Sequence, residues 1–282
     1  MAEHSTIEWT DATWNPVTGC AVVSPGCTNC YAMRRVAPRL SGNPATPHYH
    51  GTVMPSKAGP VWTGKIGIAS DEVLTKPLRW KKPRMIFVNS TSDLFHEDVS
   101  DAVIDKVFAV MALSPRHTFQ VLTKRADRMR AYVSDEFALD RVHLIVMSLL
   151  EGIPLRKHHQ PERWPLPNVW LGVSVEDQKR ADERIPHLLA TPAAVRFISA
   201  EPLLGPVDLT LDNLACGPCP RCADAFPDPE TGIVDCRHCD GIVKGGELAL
   251  DWVIVGGESG NGARPMHPDW ARSLRDQCAA AN

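Results

Sequence analysis

The feature that most constrains the fold is a series of five short apolar segments along the chain. Each is rich in β-branched residues and uninterrupted, which is the pattern of a strand buried on both faces. The segments are RMIFVNSTSD (84–93), TFQVLTKRAD (118–127), VWLGVSVED (169–177), VRFISAEP (195–202) and WVIVGGESG (252–260). Helix-compatible stretches such as 99–115 and 175–192 lie between them. The alternation predicts βα units and a parallel sheet.

Two weaker strand candidates, residues 7–19 and 65–73, extend this series. HLIVMSLL (143–150) fits either a helix or a strand and stays unassigned, whereas the proline-rich residues 158–168 are expected to form a connecting loop. The pattern and the length of 282 residues predict an α/β fold with parallel strands, a partial or complete TIM-like βα barrel. Because the sequence stops where another strand would follow, we expect the barrel to be open or truncated.

Residues 210–250 break the βα rhythm and are rich in cysteine. We therefore expect three parts: a barrel region with a three-cysteine loop over residues 1–209, a small zinc-ribbon-like insertion over 210–250, and a continuation of the barrel over 251–282.

Each of the five apolar segments turns polar at its C-terminal end. Parallel α/β enzymes build their active sites at this edge of the sheet, so these residues are candidates for a site. The alternative is that they only mark where buried strands meet loops. The candidates are Ser92, Asp93, Lys124, Arg125, Glu176, Glu201 and Glu258.

Three cysteines lie within TGCAVVSPGCTNCYA (18–32), namely Cys20, Cys27 and Cys30. Two thiols would suit a disulfide or a redox pair, and four would saturate a tetrahedral zinc ion. Three thiolates on a [4Fe-4S] cluster leave one iron free to bind a small molecule. Gly19 and Gly26 suit a loop that curls around such a cluster, since glycine permits a positive φ angle and close backbone approach.

Two other interpretations of this loop remain open. One is a structural zinc ion with a distant fourth ligand such as His4, His48 or His50. The other is a set of three free, buried thiols.

A second cysteine group contains two C-x2-C pairs separated by thirteen residues, Cys219, Cys222, Cys236 and Cys239. This spacing approaches that of a zinc ribbon and predicts structural Zn²⁺. The alternative is a second iron–sulfur site, with Cys216 and His238 as further candidate ligands.

The overall charge and the N-terminal sequence limit the classes of partner. A net charge of −3 and a pI near 6.4 argue against general coating of nucleic acid, although they permit local binding. The chain carries neither a signal-peptide pattern nor an apolar stretch of membrane-spanning length. We therefore expect a cytoplasmic protein without a membrane partner, in a reducing compartment where clustered cysteines favour metal ligation over disulfides.

Several stretches together carry a resemblance to a known family: IEWTDATWNPVTGC, SPGCTNCYA, VNSTSDLFH, VLTKRADRM, VWLGVSVEDQ, ISAEPLLGP and WVIVGGESG. They span almost the whole chain and resemble the bacteriophage and prophage three-cysteine-motif family, a group of largely uncharacterised proteins. That family is remotely similar to radical S-adenosylmethionine enzymes through its cysteine loop and βα barrel. The resemblance implies a phage-related iron–sulfur enzyme that uses S-adenosylmethionine and acts on an unknown substrate.

The resemblance also implies roles for the polar strand ends. In such enzymes the open iron chelates the methionine part of S-adenosylmethionine, and electron transfer cleaves the sulfonium. The implied cofactor-binding residues are Ser92, Lys124, Arg125, Glu176 and Glu258, and GGESG resembles a Gly-Gly-Glu element that receives the cofactor's ammonium group. Asp93 and Glu201 are candidate general bases. Ordinary salt bridging at the barrel rim is the alternative for each.

The phage context favours a nucleic-acid base or a nucleotide as the substrate. The competing hypothesis is a zinc-binding adaptor without catalytic activity, which binds nucleic acid or a partner protein encoded nearby.

Overall fold

The computed structural model describes residues 5–151, 163–209, 250–260 and 262–281. Its centre is a six-stranded sheet in which every neighbouring pair is parallel and the strands lie in sequence order. The strands are β1 (Ala12–Trp14), β2 (Met85–Val88), β3 (Thr118–Thr123), β4 (Val169–Ser174), β5 (Val195–Ala200) and β6 (Trp252–Val255). All five strong apolar segments thus supply strands of this sheet, and residues 7–19 supply its first strand.

Helices connect and cover the strands. They are α1 (Asp101–Ala112), α2 (Ala126–Val133), α3 (Ala138–Leu149), α4 (Gln178–Leu189) and α5 (Pro268–Ala280). The two predicted helical stretches contain α1 and α4, and the unassigned segment 143–150 belongs largely to α3. A mixed α/β fold with a helix-flanked parallel sheet is therefore confirmed, and it is compatible with a partial α/β barrel.

The region between β1 and β2 carries only short elements. Two antiparallel pairs join Val17–Thr18 to Gly67–Ile68 and Val53–Met54 to Val61–Trp62. The short helices are Pro25–Cys27, Ala32–Val36, Ala37–Ser41, Pro47–Tyr49, Asp71–Leu74 and Lys76–Arg79. The strand candidate at 65–73 therefore forms a two-residue strand outside the central sheet.

The two faces of the sheet differ in what covers them. Ile86, Val121 and Leu171 are almost fully buried in the main hydrophobic core together with apolar residues of the helices. This burial on one face, at roughly 25 cal/mol per Å² of apolar surface, is the main favourable contribution to holding the helices on the sheet. In addition, α1 packs against α3, and α2 packs against α4.

Aromatic residues line the other face. The ring centroid of Trp9, which precedes β1, lies 4.8 Å from that of Phe87 in β2 and 6.3 Å from that of Trp252 in β6. In a flat sheet, strands four positions apart are separated by about 19 Å. The sheet therefore curves around Trp9. No backbone pairing joins β1 to β6 within the described ranges, so closure of a barrel is not established.

Candidate functional site

The three-cysteine loop follows β1 at the carboxyl edge of the sheet. Gly19 forms an isolated parallel bridge with Ser92, so the start of the loop lies beside the segment that follows β2. Gly19 has a φ angle of 84°, and a Cβ atom there would lie 2.1 Å from the carbonyl oxygen of Lys65. Only glycine fits both conditions without strain, and it directs the chain into the loop.

The thiols of the loop are reduced and electrostatically coupled. Cys20, Cys27 and Cys30 are all free cysteines, and Cys27 is buried. Cys20 and Cys30 keep some solvent exposure, yet burial raises the pKa of both thiols, that of Cys20 to about 12. Asp93 and the two other cysteines raise the pKa of Cys20 further. Thiols in this state are poor nucleophiles at neutral pH.

Two side chains from outside the cysteine triplet contact its sulfur atoms. Nη1 of Arg125 donates to Sγ of Cys20 at 3.9 Å, and Oγ of Ser24 lies 3.7 Å from Sγ of Cys27. Across the described ranges, no group of three or more His, Cys, Asp or Glu residues is arranged to hold a metal ion. The three cysteines therefore do not form a preassembled site for a single ion.

Asp93 is the hub beneath the loop. Its Oδ1 accepts hydrogen bonds from the Phe95 amide at 3.0 Å and the Thr123 hydroxyl at 2.7 Å. Its Oδ2 accepts from the Lys124 amide at 3.0 Å and from Nη1 of Arg125 at 3.1 Å. These donors engage both carboxylate oxygens, an arrangement that favours positioning of the segment after β3 over proton transfer.

Arg125 links this hub to the cysteine loop. It is 9% exposed, pairs with Asp93, and donates from Nε to Glu97 at 2.6 Å as well as to Cys20. Burial opposes its charge, but the neighbouring anions and Cys20 outweigh burial and raise the pKa of Arg125. Its Nη2 is buried and has no partner in the described part of the chain. The guanidinium therefore keeps an unused donor beside the thiols.

Glu176 forms a second buried charge cluster. Its Oε2 accepts from Nη1 of Arg184 at 2.8 Å and lies 3.4 Å from Nζ of Lys124. Burial opposes ionisation, but Lys124 and Arg184 outweigh it, with help from Ser24, and lower the pKa of Glu176. The carboxylate lies against the cysteine loop, since a Cβ on Gly26 would be 3.2 Å from Oε1. That Oε1 has no hydrogen-bond partner in the described chain.

Glu258 joins the loop after β6 to the cysteine loop. Its Oε2 accepts from Nδ2 of Asn29 at 2.8 Å and from Nε of Arg264 at 3.0 Å, and its Oε1 contacts Nη2 of Arg264. Nη2 of Arg264 also donates to the Pro25 carbonyl at 2.9 Å. The hydrogen bond from Arg264 is the main reason that the pKa of Glu258 falls to about 2.

Ser92 and Glu201 take no part in these charge clusters, although Ser92 lies beside Gly19 at the start of the cysteine loop. The Ser92 hydroxyl donates to the Val17 carbonyl at 2.8 Å, which is a structural contact. Glu201 is solvent-accessible and makes no side-chain hydrogen bond or ion pair within the described residues, although its carboxylate lies over Gly256. Partial desolvation of the carboxyl group and the like charge of Glu8 raise the pKa of Glu201.

The structure thus brings six of the seven polar strand-end candidates close to the cysteine loop, namely Ser92, Asp93, Lys124, Arg125, Glu176 and Glu258. The zinc-ribbon prediction for Cys219, Cys222, Cys236 and Cys239 falls outside the described residues. So do Cys216, His238 and His4.

Sequence reasoning missed several partners of these residues. Arg184 lies inside α4, and Arg264 and Asn29 lie in loops. Among these three residues, only Arg184 had a signal in the sequence, namely an arginine on the expected buried face of a predicted helix. Pairing of such distant residues carries no local pattern.

Among the described residues, one cavity lies at the amino edge of the sheet and another at its carboxyl edge. One of about 460 Å³ is lined by residues that precede β1 and β2, including Glu8, Asp11 and Arg84, at the amino edge of the sheet. The other, of about 190 Å³, lies beside the cysteine loop and is lined by Asn29, Tyr31, Arg34, Arg35, Ser259 and Gly260. The carboxyl edge is where parallel α/β proteins bind ligands, so the smaller cavity is the more relevant one.

Comparison with known proteins gives a family but no activity. No curated protein and no solved structure matches the chain at a significant level. Among the described residues, no helix is both long and apolar enough to cross a membrane. The model of a family described as protein of unknown function, DUF5131, matches residues 4–282, and the chain therefore belongs to that family.

Proposed function

We propose that this protein is an iron–sulfur enzyme of the radical S-adenosylmethionine type, with a [4Fe-4S] cluster on Cys20, Cys27 and Cys30. The observation that carries the proposal is the position of three free cysteines in one loop at the carboxyl edge of a parallel sheet. Buried charged residues from the ends of β3 and β4 lie beside the same loop. A phage-related origin fits the family resemblance seen in the sequence.

The raised pKa of the Cys20 and Cys30 thiols argues against a reactive cysteine. A thiol whose pKa is raised by burial is inert as a nucleophile, which argues against a redox dithiol. Metal binding displaces the thiol protons, and the resulting negative charge then needs compensation. Arg125, which donates towards Cys20 and retains an unused Nη2 donor, is suited to that task.

The arrangement also bears on which metal would bind. Tetrahedral zinc with Zn–S bonds of about 2.3 Å needs thiolates about 3.8 Å apart. In the described part of the chain, the three cysteines do not form such a group. Cluster ligands bind different iron corners, so they can lie farther apart. The three cysteines as they lie are therefore not preorganised for a single zinc ion, and the proposed cluster rests on their number and their position in the loop.

When bound, the cluster would supply the electron for reductive cleavage of S-adenosylmethionine. The chain's own residues would bind and orient S-adenosylmethionine. Lys124 and the unpartnered Oε1 of Glu176 offer a donor and an acceptor next to the loop. The aromatic rings of Trp9, Phe87 and Trp252 on the inner face of the sheet would limit access of water.

Individual residue roles follow from their partners. Asp93 would position the segment Lys124–Arg125, and Glu258 would hold the cysteine loop against the loop after β6. Ser92 would contribute only indirectly, by supporting the backbone before the cysteine loop, because its hydroxyl already donates to the Val17 carbonyl. Glu201 remains our candidate general base, because its pKa is raised and its carboxylate has no partner within the described residues. The second cysteine group would hold structural Zn²⁺, a proposal that rests on its spacing.

The test begins with anaerobic purification and metal analysis of the full chain. We expect a brown protein with about four irons and about one zinc per chain. Cys27→Ala should lose the iron and keep the zinc, whereas the matched control Cys278→Ala, on α5, should keep both. Reduction in the presence of S-adenosylmethionine should release deoxyadenosine. Zinc in place of iron on the first cysteine group would contradict the proposal and favour the zinc-binding adaptor.

A further inference from the structure

The cavity beside the cysteine loop combines positive charge with an exposed aromatic ring. Arg34 and Arg35 lie on the π-helix Ala32–Val36, which starts two residues after Cys30. π-Helical turns are rare and occur frequently at functional sites. Tyr31, at the start of this helix, is 58% exposed. Cationic, aromatic and backbone groups therefore converge on one opening.

The positive charge at this opening is not neutralised within the described chain. Neither Arg34 nor Arg35 has a carboxylate within ion-pair distance there. Arg34 donates from Nε and Nη2 to the Thr28 carbonyl and from Nη1 to the Ala58 carbonyl. These hydrogen bonds hold the loop in place. The guanidinium of Arg35 lies against the backbone, since a Cβ on Gly260 would be 3.4 Å from its Nη2. The nearest acid of the opposing loop, Glu258, is already paired with Arg264.

The size of the cavity limits what it can hold. Pockets that enclose a complete small-molecule ligand measure about 300–1,000 Å³. At about 190 Å³, this cavity suits one anionic group of a larger molecule, with the remainder outside it. The accessible ring of Tyr31 is then placed to stack on a flat, neutral part of that molecule.

We infer that this cavity binds a nucleotide, with a phosphate on Arg35 and the base stacked on Tyr31. Arginine with an aromatic platform is the combination by which proteins bind nucleotides of single strands without reading their sequence. This inference rests on the proposed function and deepens it, because it names the class of substrate that would approach the cysteine loop. Mononucleotides and single-stranded oligonucleotides share this chemistry.

Binding can be measured on the anaerobically purified full chain with a fluorescein-labelled oligothymidylate. Unlabelled nucleoside monophosphate and inorganic phosphate serve as competitors. Arg35→Gln should weaken binding and reduce the slope of log affinity against log salt concentration by about 0.7, the value for one lost phosphate contact on a single strand. Tyr31→Ala should weaken binding by roughly 5- to 150-fold, and Tyr31→Phe should retain it.

Two further variants separate a local effect from a general one. Arg35→Lys keeps the charge and should restore the salt slope. Arg130→Gln removes the same charge from the exposed surface of α2 and should leave the affinity unchanged. Displacement by nucleoside monophosphate would identify the free nucleotide as sufficient, and displacement only by unlabelled oligonucleotide would identify the single strand. Either result supports the inference.

The inference is overturned if the wild-type chain binds no nucleotide, if inorganic phosphate competes equally well, or if Arg130→Gln has the same effect as Arg35→Gln. Iron content measured on each sample keeps the two proposals apart. Nucleotide binding by a chain without iron would contradict only the proposal of an iron–sulfur enzyme. Iron without nucleotide binding would sink only this inference.

Discussion

The cysteine loop is held in two contrasting ways. Beneath it, Arg125 and Asp93 are each less than one-tenth exposed and are joined to the loop through Cys20. At the rim, the Glu258 side chain is only 4% exposed, but it binds Arg264, which is 35% exposed, so this pair is open to water on one side. Buried ion pairs are strongly destabilising when one partner is removed, because the other charge stays desolvated. Partly exposed pairs are screened by water and contribute little. Ion pairs of similar residue types therefore differ in how much they stabilise the fold, according to how far water reaches them.

The largest effect is expected for Arg125→Met. It leaves the Asp93 carboxylate buried without its cationic partner, so the free energy of unfolding should fall by about 3–5 kcal/mol. Urea denaturation monitored by circular dichroism measures this change. The double variant Arg125→Met with Asp93→Asn removes both charges and should recover only part of the loss, because the Asn side chain keeps one of the two acceptor oxygens of Asp93. A single variant as stable as the wild type would show that the pair beneath the loop is not an anchor.

A middle effect is expected for Glu176→Gln. The amide keeps the shape but removes the charge that Arg184 and Lys124 face, so stability should fall by about 1.5–3 kcal/mol, the range for hydrogen bonds to charged groups. The pKa of Glu176 is lowered in the folded chain, so its contribution is present above the unfolded pKa and is lost as the pH falls. The wild-type advantage over the variant should therefore shrink in acid. An advantage that is constant with pH would contradict the role of this charge.

The smallest effect is expected for Glu258→Gln at the rim. The loss in stability should be about 0–1 kcal/mol and should decrease further at high salt. Because the folded pKa of Glu258 is depressed to about 2, its contribution is present above the usual value of 4.5 and disappears as the pH falls towards 2. Chemical denaturation at several pH and salt values measures this. A loss as large as that of Arg125→Met would remove the distinction between anchor and rim.

The core of the fold was predictable because its signals are local. A buried parallel strand needs a short apolar run, and five such runs supplied β2–β6. The ambiguous segment 143–150 became helical because it continues a pattern that begins at Ala138, and helices are longer than strands. Residues 65–73 were harder, since Gly67 lies so close to the His48 carbonyl that a Cβ there would be 1.8 Å from it. That close approach comes from a distant part of the chain.

The candidate site was predictable in residue types but not in roles. Asp93 and Glu201 both follow a strand, and both were expected to be general bases. The structure surrounds Asp93 with donors and leaves the Glu201 carboxylate without any in the described chain. Local sequence does not distinguish these two environments.

The sequence by itself determined the order of the strands, the edge of the sheet that carries polar residues, and the gathering of three cysteines in one loop. Only the tertiary structure decided which charges are paired, which are buried, and which remain available. Hydrophobic patterning acts between near neighbours and can be read along the chain. Electrostatic pairing depends on distance and on the local exclusion of water, and residues such as Arg125 and Asp93, or Asn29 and Glu258, meet only after folding.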